Sequence, residues 1–521
     1  MPLRRSVHWL RPPPHRVEIP AEWARWDTPA HPSVPIAARP AIDALTLSAV
    51  AIAVIVCGGF AVLGAWHATR RTTDAEDFHV AGGSAGTALT ATSLVALLAG
   101  TWVLFSPGEM ASYTGIATLI GYALGMAAVP LTFAFLGPVL RRRYPHAPSV
   151  GLMARTRWGL PAQGMVSVLA LVYMAIYLAA ELTAIAGAFR VVAGVAPWLT
   201  ATLVAVATLS YAAWGGLRTT LFTDAVQFWF ILPLLALAAA GTIQAYGGWE
   251  TLQRPLADGP LMQLTARAGV ESGVYLIVAI LAANLFDQSV WQRVHAGRVD
   301  ATVRRGFLLA AVIIVPVILI AGWFGLWYAG LGMPADGAST ALFSVIAGRT
   351  PNWVALVVLA LALVLVMSTL GSLANGIAAI VANDLTGLRP GSDARRRLAA
   401  GRWATVAVAA FAIPVAVLQP SVTYVFLIAD LLCATAVVPV FLGLLGLRLS
   451  LPGLFAAVGA GAFAGIPTFT GSDFATPFVD VRAWLFLPAD ANAMLVSFAL
   501  ALSASGIVAL VAAVVRPPRG A

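Results

Sequence analysis

About thirteen apolar runs of roughly 20 residues dominate the chain, each long enough to cross a hydrocarbon core of about 30 Å. They lie near 41–66, 85–107, 113–138, 162–189, 196–214, 221–246, 270–292, 305–330, 353–383, 400–418, 422–447, 450–468 and 487–514. The fold class this implies is an all-α integral membrane protein with about thirteen transmembrane helices. Composition agrees, since only 10% of the residues are charged, where a soluble domain carries roughly a quarter. Two cysteines, Cys57 and Cys433, both sit inside apolar runs, which leaves neither a disulfide framework nor a Cys-rich metal site.

The formal charge of +9 does not point to nucleic acid here, because a basic excess in a membrane protein belongs to its cytoplasmic loops. The arginines fall on alternate loops. Arg141, Arg142, Arg143, Arg395, Arg396 and Arg397 share one face with Arg516, whereas Arg190, Arg254, Arg267, Arg349 and Arg482 fall on the other. The first face is therefore expected to be cytoplasmic, with the C-terminus inside and the N-terminus outside. All 31 basic residues are arginine, which with the abundant alanine suggests a GC-rich bacterial genome and a bacterial cytoplasmic (inner) membrane. Residues 1–40 form a tail rich in proline and arginine, with Trp9, Trp23 and Trp26. No apolar segment of signal-peptide type precedes Ala41, so insertion is expected to rely on the helices themselves.

Several runs carry interruptions. The second contains Gly100 and then Ser106-Pro107-Gly108, and the seventh contains Asn284-Leu285-Phe286-Asp287-Gln288. A broken helix exposes backbone polar groups, which hydrocarbon tolerates only where they line a cavity or are buried in protein. Paired breaks in two halves of a chain mark the substrate site of an inverted-repeat transporter. The expected organisation is a peripheral helix over 41–66, repeats over 85–246 and 270–447, and two peripheral helices over 450–515.

Four polar constellations carry candidate chemistry. Thr223-Asp224 follows Trp214-Gly215-Gly216-Leu217-Arg218, and Asp224 either caps a helix start or lies on a cation path. Ser368 and Thr369 sit mid-span within Met367–Ser372, where hydroxyls bond their own helix carbonyls or supply hard oxygen ligands to Na+. Asp287, Gln288, Gln292 and Arg293 follow the seventh-span break, with an Asp287–Arg293 pair as the structural alternative. Glu181 lies near the centre of the fourth span, where a carboxylate is either protonated or paired; it is a structural partner of an amide or hydroxyl, or a proton-titratable site. Trp102 and Phe105 could wall a pocket, and Glu109 falls near an outer mouth. Nucleotide-binding loops, metal-protease helices and nucleophile elbows are absent from the sequence, which argues against an enzyme or an ATP-driven pump.

Three segments together resemble the sodium/solute symporter family, which includes proline, sugar, pantothenate and short-chain carboxylate carriers. They are Trp214 to Gln227 (WGGLRTTLFTDAVQ), Phe286 to Arg293 followed by His295-Ala-Gly-Arg298, and Met367 to Ser372 leading to Asn383-Asp384-Leu385. The resemblance covers about residues 75–450. It implies a five-plus-five inverted-repeat core of LeuT type with extra flanking helices, and Na+ held between the second and ninth spans. Carried over by motif, Na+ takes side-chain oxygens from Ser368 and Thr369 and backbone carbonyls around Ala96, Ala99 and Leu365. Asp224 corresponds to the family's acid implicated in sodium transit. Substrate contacts fall to Gly100, Thr101, Trp102 and Phe105 in one break and to Asn284, Asp287 and Gln288 in the other. Two departures stand out. Leu98 occupies the place of an aspartate in proline-type members, and Glu181 stands where a neutral amide is expected.

The function expected is Na+-coupled symport of a small polar organic solute by alternating access, with a lipid bilayer as the surroundings and a monomer as the working unit. An H+-coupled carrier using Glu181 competes with it. From another class comes a membrane sensor with a separate partner, since the chain runs only six residues past Val515.

Overall fold

A computed structural model describes residues 44–71, 83–257, 259–386 and 393–515. The tail over 1–40, with its three tryptophans, and the arginines beyond Val515 lie outside the described residues.

The regular elements among the described residues are helices. The long elements are α1 (Ala44–Arg71), α2 (Thr87–Leu98), α3 (Ser106–Thr114), α4 (Ile116–Arg143), α5 (Val150–Trp158), α6 (Leu160–Ala193) and α7 (Pro197–Ala245). Then follow α8 (Arg267–Asn284), α9 (Gln288–Ala296), α10 (Asp300–Gly330), α11 (Ala341–Arg349), α12 (Asn352–Ala379), α13 (Ala394–Leu418), α14 (Val422–Leu445), α15 (Leu451–Gly465) and α16 (Ala493–Val514). Ten helices among the described residues are long and apolar enough to cross a membrane, or eleven if the bent pair α2 and α3 is one span. Two shorter apolar helices, Pro197–Ala212 and Leu451–Gly465, stand where the fifth and twelfth spans are expected. The 15 residues of Leu451–Gly465 reach only about 22 Å, short of a full hydrocarbon core.

The expected boundaries need three corrections. First, Ser106-Pro107-Gly108 is no interruption: it opens α3, with Pro107 in the first turn, where proline lacks only an N–H that has no helical acceptor. The break lies upstream, at Ala99 and Gly100, through a 3-10 turn over Thr101–Leu104, and bends the span by 55°. Second, the fifth and sixth runs join in one element whose only non-helical backbone is Gly216, at φ 61 and ψ −168. Positive φ suits glycine, so the gap expected between the runs 196–214 and 221–246 is a glycine kink. Third, 466–492 forms a loop between α15 and α16, trimming the last run from the expected 487 to Ala493. The seventh-span break stands where the sequence places it, between Asn284 and Gln288.

Small residues let the helices approach closely, as is usual in membranes, where packing rather than hydrophobic burial drives association. A side chain at Gly325 of α10 would fall on the Gly108 backbone of α3, and one at Gly121 of α4 on Gly273 of α8. A side chain at Gly58 of α1 would meet nothing within 4 Å. Replacing Gly325 by leucine should therefore cost about 1–3 kcal/mol and lower the unfolding temperature in detergent, whereas Gly58→Leu should change stability by less than about 0.5 kcal/mol. Equal melting of the two variants would contradict this packing.

Candidate ion and substrate site

The two broken spans meet the rest of the core through buried polar groups. Beyond the last helical bond of α2, Ala99 N to Val95 O at 2.9 Å, the carbonyls of residues 96–99 have no helical donor. Thr369 of α12 meets one of them, its hydroxyl donating to Leu97 O at 3.2 Å. Thr101 is held twice: its N–H donates to Glu181 Oε2 at 2.8 Å and its hydroxyl to Ala362 O at 2.9 Å. Ala96, Ala99, Leu365, Ser368 and Thr369 are all buried, and the Thr369 bond joins α12 to α2. Ser368 faces Asp224, to which its hydroxyl donates at 2.7 Å.

Asp224 caps nothing. It lies two turns past the Gly216 kink and is fully buried, with Arg293 Nη2 at 2.5 Å in an ion pair whose side chains are both 0% exposed. Ser93 donates to the same carboxylate at 2.8 Å. Arg293 also donates to Ser93 Oγ at 2.9 Å, to Ser289 O at 2.8 Å and to Ser372 Oγ at 2.7 Å. The arginine's partner is thus Asp224 on α7, and the Asp287–Arg293 pair open from sequence is not an ion pair. Alternating charges and hydroxyls knit α2, α7, α9 and α12 into one joint. Nearby, Asn375 donates to Thr220 Oγ1 and to Gly371 O, the latter at 3.1 Å.

The expected substrate residues divide. Trp102 stacks on Tyr122 with centroids 5.7 Å apart, meets Phe426 edge-on at 5.9 Å, and donates from Nε1 to Tyr177 Oη at 3.1 Å. Gly100 lies against Glu181 and Trp102, leaving no room for a side chain. Phe105 turns away and packs on Phe343 of α11 at 4.8 Å. In the second break, Asn284 donates to Ile280 O of its own helix at 2.8 Å, and Gln288 to Pro148 O at 3.0 Å. Asp287 caps α9, accepting Ser289 N–H at 2.7 Å through one oxygen, while its other oxygen has no hydrogen-bond partner among the described residues. Trp102 therefore meets Tyr177 directly, and Gly100 and Thr101 lie against Glu181, whereas Phe105, Asn284 and Gln288 are engaged elsewhere.

Sequence reasoning passes over Asp430 of α14, which is 6% exposed, although an ionisable residue in an apolar run is itself the signal. It also leaves Glu109 unassigned beyond an outer mouth. Glu109 is buried and accepts from Thr423 and, at 3.1 Å, from Ser421. Asp384 likewise accepts from Ser149 at 2.8 Å and from Ser167 at 2.8 Å, fastening α5 and α6 to the end of the ninth span.

A family model described as Sodium:solute symporter family matches residues 78–461, and the chain belongs to that family. It is 27% identical over 363 residues to a spermidine transporter of Candida albicans, a match covering 68% of this chain and 67% of that protein. It is 23% identical over 435 residues to a urea-proton symporter of Oryza sativa subsp. japonica, covering 75% of this chain and 60% of that one. Among solved structures, a Na+-coupled sialic acid symporter in a substrate-bound outward-open state superposes with a TM-score of 0.72 at 17% identity, over 90% of this chain and 98% of that one. A nucleobase-cation-symport-1 family transporter in a closed conformation gives 0.55 at 15% identity, over 84% and 93%. The fold is thus of LeuT type, and the chain is a multi-pass membrane protein of a transporter family rather than an enzyme.

A fully buried ion pair costs more to break than to neutralise as a pair. Arg293→Met should destabilise the protein by about 3–5 kcal/mol by leaving Asp224 charged and unpaired, and Asp224→Asn/Arg293→Met should recover most of that loss in thermal unfolding. A double variant no more stable than Arg293→Met would contradict the pairing.

Proposed function

We propose that the chain is a secondary active transporter that couples inward movement of Na+ to symport of a small polar organic solute by alternating access. The observation that supports this reading is the junction of the second-span break with α12, where the buried Thr369 hydroxyl meets Leu97 O, a carbonyl without a helical donor, and the next hydroxyl, Ser368, is buried on Asp224. Hard oxygens of this kind suit an alkali cation. Ser368 and Thr369 supply its side-chain oxygens, and the backbone around Ala96, Ala99 and Leu365 the remainder. Na+ at this junction ties α2 to α12 and favours one arrangement of the broken helices; solute then bridges the two breaks. Asp224, hydrogen-bonded to Ser368, stands on the path by which the cation leaves. Each Na+ falling through about 100 mV contributes roughly 2.3 kcal/mol to accumulation.

In this reading 85–246 and 270–447 are the two repeats, and the flanking helices are peripheral. The alternating arginines set the N-terminus outside and the C-terminus inside a bacterial cytoplasmic membrane, with one chain as the working unit. A second reading, in which H+ replaces Na+, is favoured by Glu181: one of its oxygens holds the first break at Thr101 N and the other has no partner among the described residues. Protonation there would loosen the break as cation loss would. A relative that is a urea-proton symporter lends that reading weight.

Proteoliposomes with imposed Na+ or pH gradients separate the two. Na+ should drive uptake across a solute panel, and Ser368→Ala/Thr369→Ala should reduce the Na+-dependent rate by about tenfold or more, the effect of about 1.4 kcal/mol. Unchanged Na+ dependence in the double variant would reject the ligand set. Uptake that persists without Na+ and collapses when the pH gradient is dissipated would establish the proton instead.

A further inference from the structure

Hydroxyls in membrane helices ordinarily bond a carbonyl three or four residues back along their own helix. Thr92, Thr183 and Thr242 do so, donating to Ala88 O at 2.9 Å, Ala179 O at 2.8 Å and Ala238 O at 2.8 Å. Ser368 departs from that habit. Its hydroxyl leaves the carbonyls of α12 alone and reaches across to Asp224 Oδ1 on α7 at 2.7 Å. The carbonyl three residues back, which it passes over, belongs to Leu365, one of the backbone oxygens the Na+ reading calls on.

The direction of each bond around Asp224 follows from its pairing with Arg293. The carboxylate of an ion pair has no proton to give, so every hydroxyl on it must donate. Ser93 donates to Oδ2 at 2.8 Å and accepts from Arg293 Nε at 2.9 Å. Ser372 donates to Oδ2 at 3.4 Å and accepts from Arg293 Nη2 at 2.7 Å. Each of these two serines therefore spends a proton and a lone pair within the cluster. Ser368 gives up its proton in the same way but accepts no hydrogen bond among the described residues, so both lone pairs of its Oγ remain unspent. A serine whose proton is taken elsewhere is in the form that serves a cation, which needs the oxygen and is repelled by the hydrogen. Arg293 acts one step back: its contact with Asp224 at 2.5 Å, between side chains that are both 0% exposed, holds the carboxylate as an anion and hence as an acceptor.

We propose that the Asp224–Arg293 pair is a positioning device for the cation site: it takes the Ser368 proton, keeps that hydroxyl off Leu365 O, and so leaves two hard oxygens of α12 for Na+, without either residue ligating the bound ion. This rests on the symport reading above, in that it takes the junction of α2 with α12 as the Na+ site. Without the pair, Ser368 falls back on its own helix. A bond to Val364 O or Leu365 O then turns its Oγ to a carbonyl of α12, and Na+ loses a ligand although no ligand has been substituted.

The test reads Na+ binding apart from transport, as the rise in unfolding temperature of the full chain in nanodiscs when Na+ replaces K+ at constant ionic strength. Asp224→Leu/Arg293→Met removes both charges and keeps the side-chain shapes, a change that buried pairs tolerate. It should raise the half-saturating Na+ concentration by about tenfold to a hundredfold, the usual effect of losing a group that orients a metal ligand. Ser368→Ala should raise it to a similar extent. The triple variant should exceed the larger of these effects by no more than about twofold, as groups acting through one ligand do. An unmoved half-saturation in Asp224→Leu/Arg293→Met, or effects that multiply in the triple variant, would overturn the proposal and leave the Na+ site standing. A parent protein stabilised no more by Na+ than by K+ would reject the Na+ site itself, and the proposal with it. Should the paired variant fail to fold, Asp224→Glu decides, since it keeps the charge against Arg293 but displaces the carboxylate from Ser368. A rise matching that of Ser368→Ala would support the proposal, and an unmoved half-saturation would overturn it.

Discussion

The ion pair of Asp224 with Arg293 is the constraint on which the core depends. Both side chains are shut away from solvent, so each is stable only in the presence of the other, and the hydroxyls of Ser93, Ser368 and Ser372 complete the satisfaction of the pair. Because these groups come from four different helices, none of the four can shift without disturbing the rest. One of them, α9, is the second half of a broken span, and another, α2, is the first half of the other. The pair therefore couples the two breaks, although they are far apart in sequence.

A second tie runs alongside it. Ala85 exchanges backbone hydrogen bonds with the end of α9, from its N–H to Ala296 O at 2.8 Å and from Arg298 N–H to its carbonyl at 3.1 Å. Arg141 of α4 donates to Val294 O and Gly297 O at 3.1 and 2.7 Å. This end of the core is sealed by backbone and arginine, while the far end is closed by Phe105 on Phe343 and by Gln419, whose amide donates to Thr183 O at 3.2 Å.

Much of the fold was legible because membrane burial demands long apolar runs, and a break within one is visible as a polar interruption. Asn284 to Gln288 was found in that way. Ser106-Pro107-Gly108 was misread because proline signals a break only inside a helix; at the first turn it begins one, and Gly100 was the true discontinuity. At Gly216, flanked by Gly215 and Leu217, one residue at positive φ suffices to redirect the chain within a continuous helical element. The site was legible by residue type but not by partnership. Nothing local in the sequence pairs Asp224 with Arg293, 69 residues on, or sends Gln288 to Pro148, 140 residues back. Asp430 carried a readable signal in its isolation among apolar neighbours.

The central claim is that the first break, the hydroxyl pair of α12 and the buried ion pair form one cation-dependent joint. Hydrogen–deuterium exchange of the nanodisc-embedded protein in matched Na+ and K+ media tests it directly. The account predicts that Na+ selectively slows exchange in peptides covering 95–105 and 365–372 and leaves α15 and α16 unchanged. Identical exchange in the two media over both peptides, or protection confined to α15 and α16, would contradict it.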